Sequence, residues 1–499
     1  MVLADSLALG LAAAATPINL VYCLTGALLG TLIGVLPGIG PVATIAMLLP
    51  VTFKLEPLSA LIMLSGIYYG AQYGGSTTAI LMKLPGEASS VVTALDGYEM
   101  ARRGRAGPAL AVAALGSFFA GCVATLLIAV FAVPLGDLAL RFGPAEYFSL
   151  MALGLVAAVV LARGSVLKAL AMVVLGLLLG LVGTDVNTGF VRYTFGIAEL
   201  SDGIGFVVVA MGMFGIAEIL LNLEQRQIRE QATATVGRLW PTRGDLRAAW
   251  KPTLRGTLLG SVLGILPGGG AILASFAAYT LEKRLAKDPG RFGKGAIEGV
   301  AAPESANNAG AQTSFIPLLT LGIPSNPVMA LMVGAMTIHG IAPGPQVMTE
   351  QPTLFWGLIA SMWLGNLMLV VLNLPLVGVW VKLLSVPYRL LYPAILLFCC
   401  VGVYSLNYNA VDVVLTAVFG LFGVVLIKLG CEPAPLVLAF VLGPMMEENL
   451  RRAMTLSRGD ATVFLTSPIS AGLLVATALM LLLIVAPQFR RMRRDAFAE

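Results

Sequence analysis

Charge is what this chain has least of. Only 11% of its 499 residues are Asp, Glu, Lys or Arg, against about 25% in a soluble globular domain. With 58% hydrophobic residues and a mean hydropathy of +0.91, so much material cannot fold around one aqueous core, and lipid is its natural solvent. Other shortages exclude function classes. The single histidine, His339, and the scattered acids form no Ser/His, paired-Asp or HExxH arrangement, so no enzyme is expected. The five cysteines (Cys23, Cys122, Cys399, Cys400, Cys431) have no paired metal spacing and read as free thiols in apolar surroundings. No Lys or Arg precedes Lys54, so the basic start of a secretory signal is missing. Gly38-Ile-Gly40-Pro-Val-Ala43 lacks the strand, helix and acidic partner of a dinucleotide site, and Gly290–Gly295 lacks the Walker A spacing. No cofactor is expected, and uphill transport would have to draw on an ion gradient or another subunit.

What is present is apolar sequence long enough to span a bilayer. Pro108–Val133, Thr353–Val381 and Ala461–Phe489 contain no charged residue, and shorter apolar runs include Leu20–Leu36, Pro57–Met82 and Gly203–Leu221. At about 20 residues per span, roughly ten to fourteen membrane elements are expected. The fold class is an all-α polytopic membrane protein. The net charge of +5 sits in short loops, so it reads as membrane orientation; no nucleic acid partner is expected.

An internal repeat organises the chain. Gly30-Thr-Leu-Ile-Gly-Val-Leu-Pro-Gly-Ile-Gly40 recurs as Gly260-Ser-Val-Leu-Gly-Ile-Leu-Pro-Gly-Gly-Gly270. Gly26, Gly30, Gly34 and Gly38 fall at every fourth residue, as do Gly256, Gly260, Gly264 and Gly268. Such a stripe lets another helix backbone approach closely. Each ladder ends in a Pro-Gly break, and broken backbone at membrane depth survives only where protein or a wet cavity satisfies it. A second, looser pair of breaks spans Tyr73–Glu87 and Asn307–Ser325. Basic residues follow the second break in the first half (Arg102, Arg103, Arg105) but lie between the breaks in the second (Lys283, Arg284, Lys287, Arg291, Lys294). Equivalent loops then face opposite sides of the membrane, as two inverted-topology repeats with broken helices or re-entrant hairpins require. The expected layout is a first repeat over 1–222, a cytoplasmic linker over 223–252, a second repeat over 253–446, and a C-terminal helix with basic tail over 447–499. The linker and Arg490–Arg494 belong inside; the sidedness of Glu447–Asp460, with three bases and three acids, is open.

Paired breaks of this kind point to a transporter's binding site. Hydroxyls, amides and freed N–H groups there could hold an anion without a buried counter-charge. The candidates are Gly75, Ser76, Thr77 and Thr78 in one half and Asn307, Asn308, Thr313 and Ser314 in the other. For any one of them the plainer reading is that it satisfies backbone freed by nearby Pro and Gly. Glu304, with Gly38 and Gly268, is the candidate for a coupling cation, Na+ or H+; no residue is assigned to a metal.

Gly34–Pro50, Tyr73–Ser89 with the following Asp96-Gly-Tyr98, Leu266–Gly270 and Pro303–Pro327 closely resemble the large membrane subunit of the tripartite tricarboxylate transporters, the TctA family. The Tyr-Gly-Gly-Ser-Thr-Thr and Pro-Glu-Ser-Ala-Asn-Asn runs are its most specific parts. The resemblance implies cation-coupled uptake of a di- or tricarboxylate, or a related organic acid, by alternating access in the bacterial inner membrane. It also implies two partners, a small membrane subunit and a periplasmic solute-binding protein. A carrier or channel working without a binding protein is the alternative.

Overall fold

The computed structural model describes residues 3–36, 40–83, 86–162, 165–185, 188–224, 236–266, 270–383 and 388–485. Gly38, Gly268 and Arg490–Arg494 lie outside the described residues.

Helices dominate. The first half runs α1 (Leu3–Ala14), α2 (Pro17–Val35), α3 (Pro41–Thr52) and α4 (Pro57–Met82). A 3-10 turn at Ala88–Ser90 leads to α5 (Val91–Arg102), α6 (Ala106–Ala139), α7 (Pro144–Leu161) and α8 (Val166–Gly180). A short antiparallel hairpin, β1 (Gly183–Thr184) with β2 (Val191–Arg192), precedes α9 (Phe206–Ala210), a π turn at Met211–Ile216 and α10 (Ala217–Glu224). The second half opens with α11 (Arg243–Leu263), α12 (Gly270–Leu285), α13 (Glu298–Thr313), α14 (Phe315–Leu321) and α15 (Pro327–Ile338). It continues with α16 (Gln346–Glu350), α17 (Pro352–Asn373), α18 (Val377–Leu383), α19 (Tyr388–Asn407) and α20 (Ala410–Lys428). It closes with α21 (Pro433–Leu456), α22 (Val463–Thr466) and α23 (Pro468–Val485). Proline starts α2, α3, α4, α7, α15, α17 and α21, where its fixed φ suits the first turn and its missing N–H costs nothing.

Among the described residues four helices are long and apolar enough to cross a membrane: α2, α6, α17 and α20. Seven shorter apolar helices of 10–17 residues accompany them. The exposed side chains of α20 are apolar at helical spacing, with Val414, Val418, Leu421 and Val425 in one stripe. Surface of that kind suits hydrocarbon rather than water. The chain is an all-α polytopic membrane protein.

The glycine ladders do what their spacing predicts. Gly26, Gly30 and Gly34 on α2 press on the backbone at Met63, Ile67 and Ala71 of α4; a methyl group on any of them would run into that carbonyl. Gly256, Gly260 and Gly264 on α11 meet Ala302, Ala306 and Gly310 of α13 in the same way. Each step of four along one helix meets a step of four along its partner, so both pairs are parallel. The returns between them are made by α3 and α12. Every residue of α4 from Ser59 to Met82 is buried, and so is every residue of α13 from Gly299 to Thr313. Two helices buried all round form the centre of the molecule.

The second breaks differ from expectation. Both polar clusters lie on helix: α4 continues through Gly74-Gly75-Ser76, and α13 continues through Asn307-Asn308. The close packing outweighs a propensity cost of about 1 kcal/mol per glycine. α4 ends instead at Lys83, in the left-handed region (φ 58), and α14 ends at Gly322 with the same geometry (φ 71). α13 and α14 are divided at Ser314, because Pro317 cannot donate to the Thr313 carbonyl.

Asp96 of α5 clasps the far half. Its carboxylate accepts the backbone N–H groups of Gly295 and Ala296, both at 2.7 Å, and the Tyr279 hydroxyl at 2.9 Å. The basic turn Arg102–Arg105 and the basic connector before α13 are thereby held at one end of the bundle. Arg105 also pairs with Asp245 on α11. Elsewhere Arg192 on the hairpin and Arg451 both reach Glu447, at 2.9 and 2.6 Å, and Arg451 reaches Asp185 at 3.2 Å.

Two outcomes test this packing. Gly260→Val should destabilise the purified protein by about 1–3 kcal/mol or more, as overpacking does. Gly472→Ala, where a side chain meets nothing within 4 Å, should leave the detergent melting temperature unchanged. Asp96→Asn should cost about 1.5–3 kcal/mol through loss of charge-assisted hydrogen bonds, read as faster proteolysis at the connector before α13.

Candidate functional site

α4 and α13 bring the two halves together. Ser76 of α4 donates to Glu304 of α13, whereas Gln72, one turn earlier on α4, meets Asn307, one turn later on α13, through the Ser89 hydroxyl. The pairings step in opposite directions, so the two central helices cross antiparallel. Their flanking helices are exchanged reciprocally. α6 lies on α13, with Asn308 Nδ2 donating to Ser117 Oγ at 2.7 Å. α17 lies on α4, with the Tyr73 hydroxyl donating to Asn366 Oδ1 at 3.3 Å. α6 and α17 touch each other, where Trp363 Nε1 donates to the Cys122 carbonyl at 3.1 Å.

Carboxylates stand at the centre of the polar cluster. Glu304 is fully buried, and its two oxygens accept from the hydroxyls of Ser76 and Thr93. Among the described residues no Lys or Arg pairs with it. Glu282, by contrast, is buried yet bidentate to Arg255 at 2.5 and 2.7 Å. Glu87 is half-buried; its Oε1 accepts from Asn307 Nδ2 at 3.2 Å and from the Ser89 hydroxyl. Ser89 Oγ also lies 2.8 Å from Gln72 Oε1 and 2.7 Å from Asn307 Oδ1. One hydroxyl proton serves three acceptors in turn.

The expected site residues divide accordingly. Ser76, Glu304 and Asn307 come together, and Gly75 lies beneath Glu87, where a Cβ would come within 2.8 Å of its Cγ. Thr77 lines a closed space of about 10 Å³ beside Tyr73, Ser76 and Ser117, room for about one water. Asn308 braces α6, and its Oδ1 is buried without a hydrogen-bond partner, as is Gln312 Nε2. Three others serve the backbone. Thr78 donates to the Val35 carbonyl at 2.7 Å, closing the end of α2. Thr313 and Ser314 bond back to Ala309 and Ala311 of their own helix. Lys83 points away, over the Tyr98 ring at 5.9 Å, and His339 caps α15 and bonds the Thr52 backbone at the end of α3.

Sequence reasoning missed several members. Gln72, Ser89 and Thr93 carry no spacing that singles them out. Tyr68 is another; its hydroxyl accepts from Asn326 Nδ2 at 3.4 Å. Glu218 had a signal, being the one acid in the apolar run Gly203–Leu221. Its Oε2 accepts the Gly40 N–H at 3.4 Å, at the start of α3 just past the first break. A cavity of about 530 Å³ lies elsewhere; it is walled by Phe206, Val333, Gly334 and Phe440 and is mostly apolar.

Comparison with known proteins places the chain. Residues 20–438 match the model of the Tripartite tricarboxylate transporter TctA family. An Agrobacterium vitis protein described as "Uncharacterized 52.8 kDa protein in TAR-I ttuC' 3'region" is 62% identical over 499 residues, 100% of this chain and 99% of its own. A second from the same organism, "Uncharacterized protein in TAR-II ttuC' 3'region", is 63% identical over 240 residues, 48% of this chain and 99% of its own. No solved structure matches. With nearly its whole length matched by the family model and two close relatives alongside, this chain belongs to the tripartite tricarboxylate transporter TctA family.

Proposed function

We propose that the chain is the large permease subunit of a binding-protein-dependent secondary transporter that imports a di- or tricarboxylate, or a related organic acid, across the bacterial inner membrane. The observation that carries this reading is the Glu304–Ser76–Asn307–Glu87 cluster, built from both halves and buried between them. Antiparallel α4 and α13, each with its own parallel glycine-ladder partner, support inverted-topology repeats that meet at the site. Alternating access then needs only a change in how the halves pack around this point.

Charge bears on the coupling. An ionised carboxylate buried without a base costs far more than one hydrogen bond returns. Glu304 with its two hydroxyl neighbours therefore suits a bound proton or Na+, and that cation in turn makes room for an anionic substrate beside it. The amide of Asn307 and the hydroxyls around it supply neutral donors for a substrate carboxylate. The ends carrying Arg102–Arg105 and the α12–α13 connector read as cytoplasmic. The Glu447–Asp460 loop, tied to the β-hairpin, reads as external, on the face that would meet the periplasmic binding protein. The small membrane subunit would cover lipid-facing helices.

Asn307→Ala, which unlike Asn308→Ala leaves the α6 brace in place, should reduce carboxylate uptake into proteoliposomes at least tenfold without lowering expression; normal uptake would sink the assignment. Glu304→Gln should abolish accumulation driven by a pH or Na+ gradient while sparing substrate counterflow. Gradient-driven accumulation at wild-type level would show that Glu304 holds no coupling cation.

A further inference from the structure

Besides Glu304, the two halves differ in a second acidic position at the centre. Glu87 stands four residues after the left-handed Lys83 that ends α4, and Asn326 stands four residues after the left-handed Gly322 that ends α14. Both are helix N-caps, Glu87 of the 3-10 turn Ala88–Ser90 and Asn326 of α15. Each reaches across to the other half's central helix: Glu87 to Asn307 of α13, Asn326 to Tyr68 of α4. They are equivalent positions in the two halves. Asn caps a helix at least as well as an acid does, so the scaffold has no need of a carboxylate at Glu87.

We propose that Glu87 is a resident stand-in for the substrate: in the empty carrier its carboxylate occupies the donors that a substrate carboxylate takes on loading. Resting on the carboxylate reading above, this inference identifies one subsite, Asn307 Nδ2 with the Ser89 hydroxyl. Four observations support it. The group now bound to those donors is itself a carboxylate. Glu87 is half-buried, whereas Asp96 and Glu304 are fully buried. It rides on a single 3-10 turn after Gly86, over the bare face of Gly75, so its side chain can leave without unpacking a long helix. Ser89 has alternative acceptors in Gln72 and Asn307, so its hydroxyl stays satisfied through the exchange. An internal occupant reduces apparent affinity by the fraction of time the site is free. It also keeps buried amide and hydroxyl groups paired while the carrier returns empty.

The test uses the full-length protein in lipid nanodiscs, titrated calorimetrically with citrate and, separately, with succinate. Glu87→Asn preserves the cap, and Glu87→Gln preserves length and hydrogen bonding without the charge. Both should bind at least one probe more tightly than wild type, by about tenfold if the stand-in occupies the site nine-tenths of the time. Unchanged or weaker binding in both variants overturns the inference and makes Glu87 a substrate or cation ligand instead. Absence of binding in every form overturns it as well, since a vacated subsite would have no carboxylate affinity. Asn307→Ala separates the two levels: wild-type binding by that variant defeats the site assignment itself, whatever the Glu87 variants do.

Discussion

The arrangement depends on helix backbones coming closer than side chains allow. Because Gly34 has no Cβ, α4 lies directly against the end of α2, and the Thr78 hydroxyl can then reach the Val35 carbonyl across the junction. Gly86 fits over the Gly34 carbonyl and against Gly75, which brings the turn carrying Glu87 down onto the face of α4. In the other half Gly264 admits Thr313, and Gly310 sits against Ala271 at the start of α12. Lipid offers no hydrophobic drive for helices to associate, so close packing and interhelical hydrogen bonds must supply it. A side chain at Gly34 would part α2 from α4, and one at Gly86 would lift the turn that carries Glu87 away from α4.

The same contacts explain what could be read in the sequence. The ladders were legible because spacing of four is a helix property and needs no knowledge of the partner. The state of Gly74-Gly75 and Asn307-Asn308 was not legible. Glycine pairs and amides break helices in water, but here each is buried on all sides, and an unpaired backbone group would cost more than the propensity lost. Glu304 stood out as an acid beside an uncharged stretch. Its partners Ser76 and Thr93 lie on α4 and α5, far away in sequence, and only the antiparallel crossing brings them to it. Thr78, Thr313 and Ser314 show the limit of composition as a guide: a hydroxyl that binds a substrate and one that satisfies a carbonyl look alike until the fold places them.

An acidic centre conflicts with the proposed anionic cargo only if the acids are counted as fixed charges. Among the described residues no base pairs with Glu304, in contrast to the Arg255–Glu282 pair between α11 and α12. A permanent base there would hold a polycarboxylate too firmly, since a buried charge pair is costly to part. Neutral amide and hydroxyl donors bind more weakly and release more readily. On the proposed reading the acids set conditions for loading: Glu304 holds a cation, and Glu87 gives up its donors. Coupling would then follow from electrostatics, because substrate and cation each make the other's presence tolerable.

Near-symmetry makes the exceptions informative. Two halves built alike would place equal groups on either side of the centre, and most positions come close: left-handed caps at Lys83 and Gly322, ladder on ladder, α6 and α17 exchanged. The departures involve both halves. The acid Glu87 stands opposite the amide Asn326, the unbroken α4 stands opposite the Pro317-divided α13 and α14, and Tyr68 meets Asn326 where Asn307 meets Glu87. Because Glu87 comes from the first half and Glu304 from the second, the halves meet at the centre with unlike groups, and exchanging them would not leave the polar cluster unchanged.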